Sequence, residues 1–195
     1  MNSDLNEQRK SAEQRVLMAG FGGQGIMLMG QILAAAALKE GKEVSWLPSY
    51  GPEMRGGTAN CSVILADGEI RSPLIDKDAT SAIIMNAPSF DTFEYIVRPG
   101  GLLLLNSSLV KRESTRSDVT IVKVPVTDLA IENGNVRAAN IIMLGAWLKL
   151  TDYVQIETAL DVVAETFATK KAALIELNQQ ALSLGARSVP STALS

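Results

Sequence analysis

Four glycines follow an apolar run near the start of the chain, and their spacing could bind an anion. Residues 16–25 read VLMAGFGGQG, which places the glycines at Gly20, Gly22, Gly23 and Gly25. Backbone N–H groups at a tight turn before a helix lack intrahelical partners, and the helix dipole adds partial positive charge there. A phosphate or a carboxylate is the group that such a turn accepts.

A second segment, Tyr50–Gly57, combines loop-forming residues with side chains that can recognise a ligand. It reads YGPEMRGG. The guanidinium fork of Arg55 stands beside the accessible N–H groups of Gly56 and Gly57, a combination suited to phosphate or carboxylate. The alternative is a surface loop rich in proline and glycine that carries a solvated ion pair. The length and mixed content of the segment favour a function or an interface.

Both segments are expected to follow strands of one α/β domain. The run Arg15–Ala19 is apolar on both faces, as in a central parallel strand, and a largely apolar helix is predicted over Gln24–Glu40. Alternating strand and helix patterns predict a single-domain, open, mostly parallel Rossmann-like sheet with flanking helices and a helical C-terminus. Since ligands bind at the carboxyl ends of such strands, the two segments are expected side by side, leaving adjacent strands.

Finer expectations concern the turns and the ends of the chain. The Asp67-Gly68 turn predicts a hairpin in which Glu69–Ser72 pairs back. Pro99–Gly101 is predicted to form a turn before an apolar strand, and Gly185 is predicted to end the last helix. The chain is divided into a polar arm (1–14), the α/β domain (15–185) and a loose tail (186–195).

Composition excludes several classes of function. The chain has 195 residues, 47% of them apolar and 20% charged, which is typical of a soluble globular domain. It contains no histidine and one cysteine, which excludes His-based triads, an internal disulfide and an iron–sulfur cluster held by this chain alone. The net charge of −3 leaves no basic surface for nucleic acid or membrane lipid. The chain has no recognisable signal peptide or spanning run, so we expect it to be cytoplasmic.

The first glycine segment also fits the G-x-G-x-x-G fingerprint of dinucleotide-binding domains. That fingerprint needs an acidic residue at the end of the second strand to bind the ribose hydroxyls. Here the second strand ends in WLPSY at Tyr50, and Glu43 lies at its beginning. Two alternatives stay open: an NAD(P)-dependent oxidoreductase, and a structural subunit whose glycines only permit a tight turn and close packing.

Three further side chains are candidates for structural roles. Cys61 is expected to pack as a small apolar residue, because no activating base or cation is fixed beside it in the sequence. Asn106 and Asn140 lie in or next to apolar runs. Each is interpreted as a satisfied structural amide, with the alternative that its side chain reaches the ligand-binding edge.

Taken together, the two glycine segments resemble the gamma subunit of 2-oxoacid:ferredoxin oxidoreductases. This family includes enzymes for pyruvate, 2-oxoglutarate, branched-chain 2-oxoacids and indolepyruvate. The resemblance runs from about Arg15 to about Gly185. The segments that carry it are Ala19–Gly25, Ser49–Gly57, Ile84–Pro88, Pro99–Gly101 and Asn140–Ala146.

The resemblance implies a place in a heteromeric enzyme. Such a complex oxidatively decarboxylates a 2-oxoacid, with 2-oxoglutarate favoured here, and gives an acyl-CoA, carbon dioxide and reduced ferredoxin. Thiamine diphosphate, Mg²⁺ and [4Fe–4S] clusters would belong to the alpha and beta subunits and to a ferredoxin-like subunit or domain. The present chain would hold none of them, would be inactive alone, and would cover the active site and contact coenzyme A.

The resemblance also implies roles for residues in the two segments. Gly22–Gly25 would donate backbone hydrogen bonds, Arg55 would pair with negative charge, and Tyr50 and Met54 would pack on the ligand or on a neighbouring subunit. No residue is expected to be catalytic or to bind a metal ion. The residues expected to contact coenzyme A are Gly22, Gly23, Gln24, Gly25, Tyr50, Arg55, Gly56 and Gly57.

Overall fold

The computed structural model describes residues 13–50, 58–169 and 172–193. Arg55, Gly56 and Gly57 lie outside the described residues, as does the side chain of Tyr50. The described strands are β1 (Glu13–Phe21), β2 (Glu43–Tyr50), β3 (Thr58–Ala66), β4 (Ala79–Ile84), β5 (Val97–Asn106) and β6 (Thr120–Val124). The described α-helices are α1 (Ile26–Lys39), α2 (Ala87–Phe93), α3 (Val126–Glu132), α4 (Ala139–Thr151), α5 (Ile156–Thr166) and α6 (Ala172–Arg187).

The strands form one open sheet in the order β2-β3-β1-β4-β5-β6. The pairs β1–β4, β4–β5 and β5–β6 are parallel, whereas β3 is antiparallel to both of its neighbours. Helix α1 follows β1, helix α2 follows β4, and the part of the chain after β6 is helical. The predicted fold class, an open and mostly parallel α/β sheet with flanking helices, is confirmed.

The prediction that the two glycine segments leave adjacent strands is wrong, because β3 lies between β1 and β2. A parallel crossover needs a dozen or more residues, and only residues 51–57 connect β2 to β3. The chain therefore turns back antiparallel beside β2 and fills the gap next to β1. Both β1 and β2 run antiparallel to β3, so their carboxyl ends still lie at the same edge of the sheet.

The prediction that Glu69–Ser72 pairs back on β3 is also wrong. Both edges of β3 are already occupied by β1 and β2, which leaves no backbone groups for a hairpin partner. The segment instead crosses the amino end of β1, where Arg15 donates to the carbonyl oxygens of Ser72 and Leu74. Arg15 also forms ion pairs with Glu13 at 2.7 Å and Asp78 at 2.9 Å.

The alternating side chains of the central strands divide the core into two layers. Val16 and Met18 of β1 face the larger layer, which α1, α4, α5 and α6 cover. Leu17 and Ala19 face a smaller layer that contains Phe90 of α2. Burial on both faces explains why residues 16–19 of β1 are a continuous apolar run.

Helix α4 is the central helix of the larger layer. Its large apolar side chains are buried, among them those of Ile141, Ile142, Leu144, Trp147 and Leu148. The indole N–H of Trp147 donates to Ser81 Oγ of β4 at 2.9 Å, which ties α4 to the sheet. In the part of the chain that the structure describes, no helix combines the length and apolarity needed to cross a membrane.

Two predicted turn glycines lie inside regular elements instead. Gly185 does not end α6, which continues to Arg187. Its role is in packing instead: since it has no Cβ, α6 can lie close to the Ile142 carbonyl of α4. Pro99–Gly101 is part of β5, where Gly100 takes a positive φ of 76° and donates to the Asp118 carbonyl at 2.7 Å. The pairing of β5 with β4 changes register between Val97 and Leu102, so an irregularity inside β5 replaces the expected separate turn.

Candidate functional site

The glycine segment forms a tight turn between β1 and α1, at the carboxyl edge of the sheet. The N–H of Gln24 donates to the Phe21 carbonyl at 3.1 Å and closes the turn. Gly23 and Gly25 have positive φ values of 95° and 72°, a backbone region that side chains with a Cβ seldom adopt. Gly25 is the N-cap of α1, so the helix begins at Ile26 and not at the predicted Gln24.

The turn presents hydrogen-bond donors toward the outside of the fold. Gly22 and Gly23 are exposed, and no side chain caps the first turn of α1. Within the described residues, the N–H groups of Gly22, Gly23 and Gly25 have no hydrogen-bond partner. Since the N–H of Gln24 is used inside the turn, the N–H groups of the three glycines and those of the first turn of α1, which begins at Ile26, are the ones that can donate to an anion.

The side chain of Gln24 faces the interior and holds the start of the turn. Its Oε1 accepts from the N–H of Phe21 at 2.6 Å and from Asn86 Nδ2 at 3.0 Å. Its Nε2 donates to the Met85 carbonyl at 3.3 Å. A Cβ on Gly20 would lie 2.7 Å from Gln24 Oε1, so this arrangement requires glycine there.

Two asparagines extend these contacts along the carboxyl edge of the sheet. Asn86 follows β4 and caps α2 by accepting from the N–H of Ser89 at 2.9 Å. Asn106, the last residue of β5, donates to the Met85 carbonyl at 3.1 Å and contacts Thr127 Oγ1 at 2.9 Å. The ends of β1, β4 and β5 are thus joined by side-chain amides.

Asn140 holds the other end of the glycine turn. It lies in the first turn of α4 with 2% of its surface exposed. Its Nδ2 donates to the Gly25 carbonyl at 3.0 Å, and a Cβ on Gly25 would overlap with this amide. Both interpretations of Asn106 and Asn140 therefore hold: each amide is satisfied, and each reaches the carboxyl edge.

The sheet order differs from that of a dinucleotide-binding domain at the place where the ribose would be recognised. In such domains the strand after the first helix pairs directly with the first strand. Here β3 separates β2 from β1. The acidic residue of β2, Glu43, pairs with Ala66 at the opposite edge of the sheet from the glycine turn. These positions disfavour NAD(P) as the ligand of the turn.

Comparison with known proteins assigns the family. The family described as pyruvate ferredoxin/flavodoxin oxidoreductase matches residues 15–188 of the chain. The chain belongs to this family.

Two relatives and one solved structure illustrate the similarity. The ketoisovalerate oxidoreductase subunit VorA of Methanothermobacter marburgensis is 39% identical over 89% of this chain. The 2-oxoglutarate synthase subunit KorC of Methanocaldococcus jannaschii is 36% identical over 79% of this chain and 83% of its own length. The crystal structure of the keto/oxoacid ferredoxin oxidoreductase gamma subunit of Geobacter sulfurreducens, 28% identical, has a TM-score of 0.79 and covers 94% of this chain and 98% of its own.

The lengths of these family members differ. The chain spans 36% of VorA, about a third of that relative, but most of KorC. The same domain therefore occurs in the family both within a longer polypeptide and as a chain of its own size.

The segments by which the sequence resembles this family converge in the structure. Ile84–Pro88 contributes the Met85 carbonyl and Asn86, and Asn140–Ala146 contributes Asn140, to the contacts around the glycine turn. The sequence did not single out Asn86 or Thr127. The signal for Asn86 is a polar residue directly after an apolar strand and before a proline at a helix start.

The residues expected to bind a cofactor are only partly brought together. Gly22, Gly23, Gln24 and Gly25 form one turn, in which Gln24 is occupied by internal contacts. Tyr50 ends β2 at the same edge, beyond β3. Among residues 13–50, 58–169 and 172–193, no acidic or cysteine side chains cluster as a metal site would require. Cofactor binding by the two segments stays a prediction.

Cys61 lies in β3 and is fully buried. Burial raises the pKa of its thiol from 9.0 to about 12. The thiol lies 3.7 Å from the Ile26 carbonyl, and Gly30 of α1 has no Cβ that would overlap with the sulfur. A protonated, enclosed thiol is a poor nucleophile, in agreement with the structural role expected from the sequence.

Proposed function

We propose that this chain is the gamma subunit of a heteromeric 2-oxoacid:ferredoxin oxidoreductase. In that complex it covers the active site and donates backbone hydrogen bonds from its glycine turn to coenzyme A. Thiamine diphosphate with Mg²⁺ and the [4Fe–4S] clusters, held by alpha, beta and ferredoxin-like partners, supply carbon–carbon cleavage and electron transfer to ferredoxin.

One observation carries the proposal. In a chain of this family, the described residues leave the N–H groups of Gly22, Gly23 and Gly25 without partners at the carboxyl edge of the sheet. Coenzyme A carries several phosphates, which backbone donors at a helix N-terminus bind. The exposed position of Gly22 and Gly23 leaves room for a large ligand or for a partner chain.

The choice of 2-oxoacid follows the overall resemblance of the sequence, and one relative supports it. KorC, which matches this chain over most of its own length, is named as a subunit of 2-oxoglutarate synthase. We therefore propose 2-oxoglutarate as the substrate and expect the thiamine-binding chains to select it. Pyruvate and 2-oxoisovalerate are the competing substrates to assay, since VorA is named for the latter.

The first experiment compares the chain alone with the chain purified together with its co-encoded neighbours. The proposed function predicts 2-oxoacid-dependent and coenzyme A-dependent reduction of ferredoxin only in the assembled complex. Reduction of a nicotinamide nucleotide by the isolated chain with any small substrate would contradict it and favour the dinucleotide alternative.

The second experiment tests the ligand role of the edge. Arg55→Ala in the assembled complex is expected to raise the apparent KM for coenzyme A about tenfold, the loss of one charge-assisted hydrogen bond. Arg71→Ala is the matched control, because Arg71 is exposed and lies at the opposite edge of the sheet, beyond the end of β3. An unchanged KM in Arg55→Ala would favour a purely structural subunit.

A further inference from the structure

We propose that Asn140 is the positioning residue of the glycine turn. Its side-chain amide fixes the peptide plane at the start of α1 and thereby sets the direction of the Ile26 N–H, one of the donors that meet the anion. This inference rests on the proposed function for the identity of the ligand, but its structural part can be measured without any ligand.

The glycine turn needs such an anchor because its own residues are conformationally free. Glycine loses more backbone entropy on ordering than any other residue, and this turn contains Gly22, Gly23 and Gly25. Gln24 holds the turn from one side through Phe21 and Met85. The other end of the turn is held through the hydrogen bonds that the Gly25 carbonyl accepts.

That carbonyl has two partners. It accepts from the N–H of Met29 at 3.0 Å, the first hydrogen bond of α1, and from Asn140 Nδ2 at 3.0 Å. The C=O and N–H groups of a trans peptide point in opposite directions. A carbonyl held by Asn140 therefore directs the N–H of Ile26, in the same peptide plane, away from α4.

The backbone of Gly25 and the side chain of Asn140 are sterically complementary. Gly25 adopts a φ of 72°, and the Asn140 amide occupies the space that a side chain at position 25 would need. The contact links α1 to α4 across 115 residues of sequence. Through this contact the position of α4 influences the position of the glycine turn.

A second buried amide shows what a purely local role looks like. Asn178 of α6 is 4% exposed, and its Nδ2 donates to the Leu174 carbonyl of its own helix at 2.7 Å. Because this bond stays within α6 and touches no residue of the glycine turn, its loss is expected to lower the stability of α6 and to leave the glycine turn unaffected. Asn178 is therefore the matched control for Asn140.

The test uses Asn140→Ala, Asn140→Asp and Asn178→Ala in the full chain and in the assembled complex. Asn140→Asp keeps the size of the side chain while removing the donor, so it remains informative if the alanine variant does not fold. Amide hydrogen exchange and NMR shifts report on Gly22, Gly23 and Ile26 in the full chain. The KM for coenzyme A and kcat report on the complex.

We expect both Asn140 variants to speed exchange and shift the resonances at these three positions. In the complex, the KM for coenzyme A should rise about five- to tenfold, the loss of one hydrogen bond, while kcat stays within about twofold. Asn178→Ala should lower the melting temperature, but it should change neither the exchange and resonances at the turn nor the KM for coenzyme A.

The outcomes separate the two proposals. Unchanged exchange and shifts at the turn in folded Asn140 variants would overturn the positioning role. A turn that loosens while the KM for coenzyme A stays constant would leave Asn140 as the anchor and contradict the proposed ligand of the turn.

Discussion

Gly185 of α6 lies directly against the carbonyl oxygen of Ile142 in α4. A Cβ at this position would overlap with that oxygen, and a Cβ on Gly145 would likewise overlap with the carbonyl of Leu182. Two glycines on facing helices thus permit backbone contact between α4 and α6. Asn140 lies in the same helix, α4, near its N-terminal end.

Gly185→Ala is expected to lower the free energy of unfolding by at least about 2 kcal/mol, because overpacking against backbone cannot be relieved by a side-chain rotation. Urea denaturation followed by circular dichroism measures the change. Gly68→Ala is the control, since nothing lies near a Cβ at Gly68 and its change should stay within about 0.5 kcal/mol. Equal stability of the two variants would show that α4 and α6 are not in this close contact.

Gly25→Ala and Asn140→Ala are expected to be strongly non-additive in a double-mutant cycle. Gly25→Ala introduces a steric overlap with the Asn140 amide and costs about 1–2 kcal/mol for the left-handed conformation. In the Asn140→Ala background the overlap disappears and only the conformational cost remains. Denaturant unfolding of the four proteins measures the coupling, and simple additivity would argue against the contact.

Stability is expected to fall as the pH rises from about 9 toward about 12. Burial raises the pKa of the Cys61 thiol from 9.0 to about 12 and that of the Tyr153 hydroxyl from 10.0 to about 12. The unfolded chain therefore loses protons that the folded chain keeps, and each such proton lowers the unfolding free energy by about 1.4 kcal/mol per pH unit.

Cys61→Ala should flatten this pH dependence, although it lowers stability at neutral pH by the loss of a buried side chain. Urea titrations at pH 8, 9, 10 and 11 compare the slopes. The same burial predicts that a thiol reagent at pH 8 modifies the wild-type chain only after unfolding. Rapid labelling of the folded chain would contradict the raised pKa.

Glu94→Gln is expected to lower the free energy of unfolding by about 2 kcal/mol. Glu94 is 2% exposed, accepts from Ser114 Oγ at 2.5 Å and pairs with Arg112 at 3.2 Å. These contacts hold the β5–β6 connection against the 3-10 turn that follows α2.

Asp91→Asn is the matched control for Glu94, because Asp91 pairs with the same Arg112 at 2.9 Å but is exposed. Screening by water limits its effect to within about 0.5 kcal/mol. Thermal unfolding monitored by circular dichroism compares the two variants. An effect of Asp91→Asn as large as that of Glu94→Gln would show that burial does not determine the strength of this pair.

The sequence predicted the fold class because its strongest patterns are local. The apolar run of β1, the glycine turn and the apolar stretch of α1 each depend on neighbouring residues, and the structure has β1 and α1 within a few residues of the predicted bounds. The order of the strands is a non-local property. Strand β3 lies between β1 and β2 because both of these strands have an edge to which it can hydrogen-bond. No residue pattern within β3 predicts this position.

The candidate site was predicted to a similar extent. Donation by the glycine turn follows from residue type and position, and the structure leaves Gly22, Gly23 and Gly25 free to donate within its described part. The inward direction of the Gln24 side chain could not be read from the sequence, since it depends on Met85 and Asn86. The partners of Asn140 likewise depend on helix packing across 115 residues.

The antiparallel strand β3 sets the distance between the ends of β1 and β2, after which the two segments proposed to bind the ligand follow. Since neighbouring strands lie about 4.8 Å apart, the ends of β1 and β2 are separated by about 10 Å. One phosphate group is too short to touch the donors after β1 and the backbone at the end of β2 at the same time. A ligand that contacts both segments, as we propose for coenzyme A, must therefore be an extended molecule with separated polar groups and not a compact inorganic anion.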